Sequence, residues 1–208
     1  MRECGMLLPI ASLPSKYGIG CFSKEAYEFV DQLKEGGQSF WQILPLGPTG
    51  FGDSPYQAFS AFAGNPYFID LEQLVQEDLL TENECEAADF GDDDRYIAYD
   101  KIYKARFKVL KKAYERWKKE AKWTENVEKA GTKAEKMDHR QFLKSKLDPE
   151  TREYCFYMAV KDHFKSASWN KWDEDIRLRR TAAVEKYKKT LEDEMGFYEF
   201  QQFQFNEQ

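Results

Sequence analysis

The spacing of apolar positions divides the chain near residue 70. Before it, Met6 to Ile10 form a short apolar run that reads as a first strand, followed by the loop ASLPSKYGIG. Ser23 then stands where a helix cap is expected, and Tyr27, Val30 and Leu33 recur at helical spacing with Ala26 beside them. This predicts a helix over about 24 to 35, stopped by Gly36-Gly37. Phe40, Trp41, Ile43 and Leu44 follow as a second apolar run, read as a buried strand over 39 to 44 and closed by Pro45, which lacks a ladder donor. Strand, helix, strand is a βαβ unit, so the two strands should be parallel with a right-handed crossover.

After residue 70 the pattern is helical. Leu71, Leu74, Val75 and Leu79 predict a short helix, and the capping box TENE at 81 to 84 introduces another. A long helix is expected from about 97 to 121, its core stripe being Tyr103, Phe107, Leu110, Tyr114 and Trp117. Residues 122 to 146 are weakly patterned, with short helical pieces and a mobile joint expected near Gly131. Asp148-Pro149 starts a further helix that buries Tyr154, Tyr157, Met158 and Phe164. The last helix should run from about 181 towards the end, with Val184, Tyr187, Leu191, Met195 and Tyr198 on one side.

Between the two regions lies a loop unlike either. From Leu46 to Pro66 it holds four glycines and three prolines, interleaved with Phe51, Tyr56, Phe59 and Phe62 and carrying one charge, Asp53. A loop of about twenty residues exceeds what connection requires, and so many rings in a nearly uncharged segment disfavour disorder. Rings beside Ser54, Gln57 and Asn65 suit a sugar, which offers a C–H face to an aromatic and hydroxyls to polar groups. Asp53 could accept two such hydroxyls while ionised. Burial as a plug is an equal reading for Phe59 and Phe62.

Composition narrows the function classes. The net charge of −6 argues against nucleic acid or an anionic membrane as partner. No apolar run approaches ~18 residues and no leader pattern is present, so neither a membrane span nor a signal peptide is expected and the cytoplasm follows by default. Cys4, Cys21, Cys85 and Cys155 are scattered, and His139 and His163 have no ligand-spaced partners, so metal is not implied. GDDD at 91 to 94 reads as a solvated turn, and the paired lysines at 111, 118 and 188 as solvated helix faces.

LPLGPTGFGDSPYQAFSAFAGNPYFIDL, with MLLPIASLPSKYGIG before it, resembles the N-terminal signature of the 4-α-glucanotransferases, the amylomaltase or disproportionating enzyme family. The resemblance is dense over 2 to 71 and looser over 150 to 205, through YMAVKDHF, SWNKW, EDIRLR and FYEFQQFQF. It implies an α/β fold: the first two βα units of a (β/α)8 TIM barrel over 1 to 70, followed by a mostly helical inserted subdomain over 71 to 208. The loops after Ile10 and Leu44 would then open on the face where such barrels place their sites.

The resemblance also implies retaining transfer of α-1,4-glucan segments between maltodextrins, without a cofactor. That chemistry needs two carboxyl groups about 5 Å apart, which the family draws from later barrel strands. The chain is therefore expected to be an N-terminal portion, inactive without the C-terminal part of the same enzyme. What carries over is substrate contact: Tyr56 and Ser54 at positions lining the cleft, Asp53 beside them, and Phe51 where many members have Tyr. Cys21 stands where Asp is common, and Asp173 where Pro is usual before EDIR. A non-catalytic α-glucan-binding module is the alternative, and a helical interaction scaffold over 71 to 208 a third.

Overall fold

In a computed structural model, which describes residues 3–50, 52–93, 95–119 and 138–208, Gly5–Leu7 (β1) lies parallel to Phe40–Gln42 (β2), Gly5 facing Phe40 and Leu7 facing Gln42. The expected parallel pairing is thus present. It is extended by the Ser39 N–H donating to the Cys4 carbonyl (2.8 Å) and the Leu8 N–H to that of Gln42 (3.0 Å). Both strands are shorter than their apolar runs. Pro9 offers no N–H to continue the ladder, and Ile10–Ser12 form a single 3-10 turn instead.

The helix between the strands is Lys24–Glu35 (α1). Gly37, at φ +69°, ends it: its N–H reaches the Lys34 carbonyl (3.0 Å) and that of Gln38 reaches Leu33 (2.9 Å), the paired bonds of a glycine cap. Ser23 occupies the cap position but accepts no backbone N–H; its hydroxyl donates to Glu25.

The buried second strand is not what forms. Phe40 is 59 % exposed, Ile43 is exposed, and so are Met6 and Leu7 on β1. Trp41 is half covered, its ring N–H donating to the Leu8 carbonyl (2.8 Å) and its ring meeting Phe29, and Leu8 and Leu44 are half covered as well. An apolar strand face is buried only by a second layer, and the described residues supply none here. Helix α1 likewise buries Ala26 and Leu33 but leaves Tyr27 and Val30 exposed.

The chain divides into two compact units, residues 1–119 with 204–208, and residues 120–203. In the first, Leu71–Gln76 (α2), Glu82–Glu86 (α3) and Tyr99–Trp117 (α4) surround a core in which Ile69, Leu71, Leu74, Ile102, Leu110 and Tyr114 are fully buried. Each such side chain contributes about 1.5–3 kcal/mol. Tyr103, expected in the core stripe of α4, is exposed. Arg106 is buried, its guanidinium donating to the Ile69 carbonyl and lying near Cys21 and Asp70. Burial depresses its pKa.

The expected capping box forms at α3: Thr81 and Glu84 each serve the other's backbone N–H. Glu84 also takes both nitrogens of the Arg116 fork, at 2.6 and 2.9 Å. Those hydrogen bonds hold its carboxyl down at about 2, against an ordinary 4.5. A lowered folded-state pKa contributes stability that is whole above the ordinary value and is lost as pH falls through the folded one. Arg116→Gln should therefore lower stability by about 0.5–1 kcal/mol at pH 7. It should also flatten the acid limb between pH 4.5 and about 2, as read by urea melts across that range.

The second unit is helical: His139–Lys146 (α5), Pro149–His163 (α6), Glu174–Arg177 (α7), Thr181–Thr190 (α8) and, up to Phe203, Glu192–Glu207 (α9). Asp148 caps α6 with Pro149 in its first turn, as expected. The face buried by α6 is Tyr154, Cys155, Phe156, Ala159 and Val160, with Tyr157, Met158 and Phe164 only half covered. The single last helix is in fact two. Thr190 donates its hydroxyl to the Lys186 carbonyl (2.9 Å), a back-bond that bends helices, and Leu191 leaves helical geometry. Arg140 forms an ion pair with Glu199, both buried; burial pushes the Glu199 carboxyl up while Arg140 opposes it. The joint expected near Gly131 lies outside the described residues.

Candidate functional site

The loop after β2 folds back on itself. Thr49 bridges Ala58 in antiparallel fashion, and the Phe59 N–H donates to the Pro48 carbonyl (3.1 Å). At its tip Gly52 and Asp53 take φ of +88° and +52°, a left-handed pair that glycine and aspartate adopt at least cost. The Asp53 N–H closes this turn on the Gly50 carbonyl (3.1 Å), and the Gln57 N–H closes the next on Ser54 (3.0 Å). Asn65 pins the far end: its N–H donates to the Leu46 carbonyl (2.8 Å) and its side chain accepts from the Tyr67 N–H (3.0 Å).

The loop borders two cavities that share Pro45, Leu46 and Pro55. The smaller, about 170 Å3, brings together Ser12 from the segment after β1, Leu44 from the end of β2, and Thr49 and Asp53 from the loop. Asn65, Tyr67 and Tyr99 complete its polar lining. Burial raises the Asp53 carboxyl above its ordinary value, against a smaller pull from the Thr49 hydroxyl beside it. That hydroxyl is itself buried. Tyr67 and Tyr99 are pushed up by burial first and by the charge of Asp53 second.

The larger cavity, about 440 Å3, is an open trough walled by Tyr56, Phe62 and Phe205. Tyr56 is 73 % exposed and Phe62 68 %. Phe59 is exposed as well, so within this chain neither phenylalanine is buried. Phe205 packs against Gly64, where an added Cβ would lie 2.2 Å from its ring, and edge-on to Phe22 at 5.6 Å.

Of the four residues singled out from sequence, Asp53 faces the smaller cavity and Tyr56 the larger. Ser54 stands in the turn between them and lines neither. Phe51 lies outside the described residues. Thr49, Tyr67 and Tyr99 went unselected. Tyr99 could have been found by carrying the stripe of α4 one turn back from Tyr103, whereas Thr49 and Tyr67 have no periodic signal.

A family model described as 4-alpha-glucanotransferase matches residues 8–208. The chain belongs to the 4-α-glucanotransferase family. The match runs through residues 72 to 149, which the signature motifs had left uncovered. The 4-α-glucanotransferase of Clostridium butyricum is 43 % identical over 198 residues, covering 94 % of this chain and 37 % of that protein. That of Thermus thermophilus is 36 % identical over 98 % of this chain and 38 % of its own length. The structure of amylomaltase from Streptococcus agalactiae in complex with acarbose superposes with a TM-score of 0.85 at 36 % identity, over 100 % of this chain and 39 % of that one. The fold is thus that of part of an amylomaltase, helix-rich with a small parallel sheet, and the chain spans less than two fifths of these relatives, matching their N-terminal portion.

Proposed function

We propose that this 4-α-glucanotransferase family chain supplies one wall of a cleft in which α-1,4-glucan segments pass between maltodextrins by retaining double displacement. The observation that carries the reading is the convergence of the segments after β1 and β2 on one cavity with a polar lining, beside an open aromatic trough. In this reading β1 and β2 are the first two strands of a (β/α)8 barrel over residues 1 to 70, and residues 71 to 208 are its helical insertion. The acarbose bound to the Streptococcus agalactiae relative, a maltodextrin-like ligand, supports the substrate class.

Most of the loop residues have a role that their surroundings favour. Tyr56 stacks on a sugar face in the trough, while for Phe51 the family resemblance alone suggests an outer glucan contact, by its ring and without a hydroxyl. Asp53 accepts sugar hydroxyls, restoring to its carboxylate the solvation that burial removes. Thr49 supplies a hydroxyl beside Asp53 on the same cavity wall. Ser54 fixes the turn that spaces Asp53 from Tyr56.

We assign neither reacting carboxyl group to this chain: both come from the part of the enzyme that the relatives carry beyond the match, and residues 1 to 208 alone are inactive. The exposed Met6, Leu7, Phe40 and Ile43 on the strands, with Tyr27 and Val30 on α1, are the apolar surface such a part would cover. The test is glucan transfer by a chimera in which this chain replaces the matching N-terminal portion of the Clostridium butyricum enzyme. Tyr56→Ala should lower its kcat/KM for maltotriose about ten-fold or more, the loss of roughly 1.4 kcal/mol or more. An unchanged value would remove Tyr56 from the cleft.

A further inference from the structure

A second concavity lies away from the aromatic loop. Between α3 with the segment after it and one face of α4 is a groove of about 420 Å3, with Ala88, Ala105 and Val109 on its floor. Lys101, Lys104, Lys108 and Lys112 line its α4 side, and Glu84 and Asp89 the other. Both carboxylates are already engaged. Asp89 pairs with Lys101 at 3.0 Å, and Glu84 with Lys112 at 3.5 Å in addition to Arg116.

Lys104 and Lys108 are exposed and have no carboxylate partner among the described residues. Elsewhere the lysine pairs read as solvated faces do find one: Lys111 and Lys118 share Glu115, and Lys188 meets Glu153. Like charges at this spacing along a helix repel, and here they do so over a partly apolar hollow. An anion between them removes the repulsion, and a phosphate dianion accepts from two ammonium groups at once.

We propose that this groove binds a small phosphate monoester, its phosphate held by Lys104 and Lys108 and its carbon portion resting on Ala105 and Val109. The net charge of −6 and an ion pair at either end of the lysine row favour a small molecule over a nucleic acid strand. The groove shares no lining residue with the two cavities at the aromatic loop, so the proposal stands or falls without the glucan reading.

The test is calorimetric titration of the full chain with glucose 1-phosphate, inorganic phosphate and glucose, at about 0.15 M ionic strength to suppress long-range attraction. Saturable binding of the ester, none of glucose, and weaker binding of inorganic phosphate are expected. Lys104→Gln with Lys108→Gln, on an exposed face and checked by circular dichroism, should weaken the ester about ten-fold or more, while Lys186→Gln should not. No saturation by about 10 mM ester, or equal binding by the double variant, overturns the proposal. Inorganic phosphate binding as tightly as the ester overturns the role given to Ala105 and Val109.

Discussion

Replacing Gly20 with alanine is expected to cost the first unit about 3 kcal/mol or more of stability. The added Cβ would lie 2.1 Å from the Ile10 carbonyl oxygen and 2.8 Å from the Leu13 backbone nitrogen. Neither is the end of a flexible side chain. The Gly20 N–H also donates to the Ala11 carbonyl (3.1 Å), clamping the 3-10 turn after β1 onto the segment with Ile19. Ile10, Leu13 and Ile19 are all buried there, and Ile10 and Ile19 wall the smaller cavity. Moving that turn would therefore loosen both core and site. Gly37→Ala is the control: its φ is +69° but nothing lies within 4 Å of the new Cβ, so only about 1 kcal/mol of backbone strain is expected. Denaturant melts followed by hydrogen exchange within the first unit would separate the two. Equal losses would mean that the close approach at Gly20 is not rigid.

Arg140→Met should be comparably damaging in the second unit, by about 3–5 kcal/mol, because it strands the buried Glu199 carboxylate. Burial already raises that carboxyl, and removing Arg140 removes the largest opposing charge. A carboxyl raised on folding contributes most below its ordinary pKa of 4.5, and that contribution is lost as pH rises through the folded value. The variant should thus be more stable at pH 5 than at pH 7, measured by thermal melts across that range. Adding Glu199→Met should recover most of the loss, since a pair of apolar side chains can replace a buried ion pair at little cost. A single variant with no pH dependence would show that water reaches Glu199.

What the sequence made legible was local. The Thr81–Glu84 box, the Asp148-Pro149 start and the Gly36-Gly37 stop each rest on a few adjacent residues, and each is present. Burial was less legible, because it depends on what lies opposite. Phe40 and Ile43 carry a core-like pattern, yet the described residues place nothing over them. The break at Leu191 was hidden because its stripe continues across it; what accompanies the break is the Thr190 back-bond rather than a change in periodicity. At the site, the motif pointed to Asp53 and Tyr56, but the partners of Asp53 come from residue 67 and from the first turn of α4. Only folding brings Thr49, Tyr67 and Tyr99 to one cavity; the α4 stripe carried back one turn reaches Tyr99, but no linear spacing announces Thr49 or Tyr67.

In our reading the loop after β2 works as part of a glucan cleft completed by residues outside this chain. The most direct measurement is glucose release from maltotriose by the chimera carrying this chain in place of the matching portion of the Clostridium butyricum enzyme, alongside this chain alone. Turnover with longer maltodextrins formed is expected of the chimera, and none of the chain alone. A folded chimera without transfer, or transfer by residues 1 to 208 unaided, would contradict it.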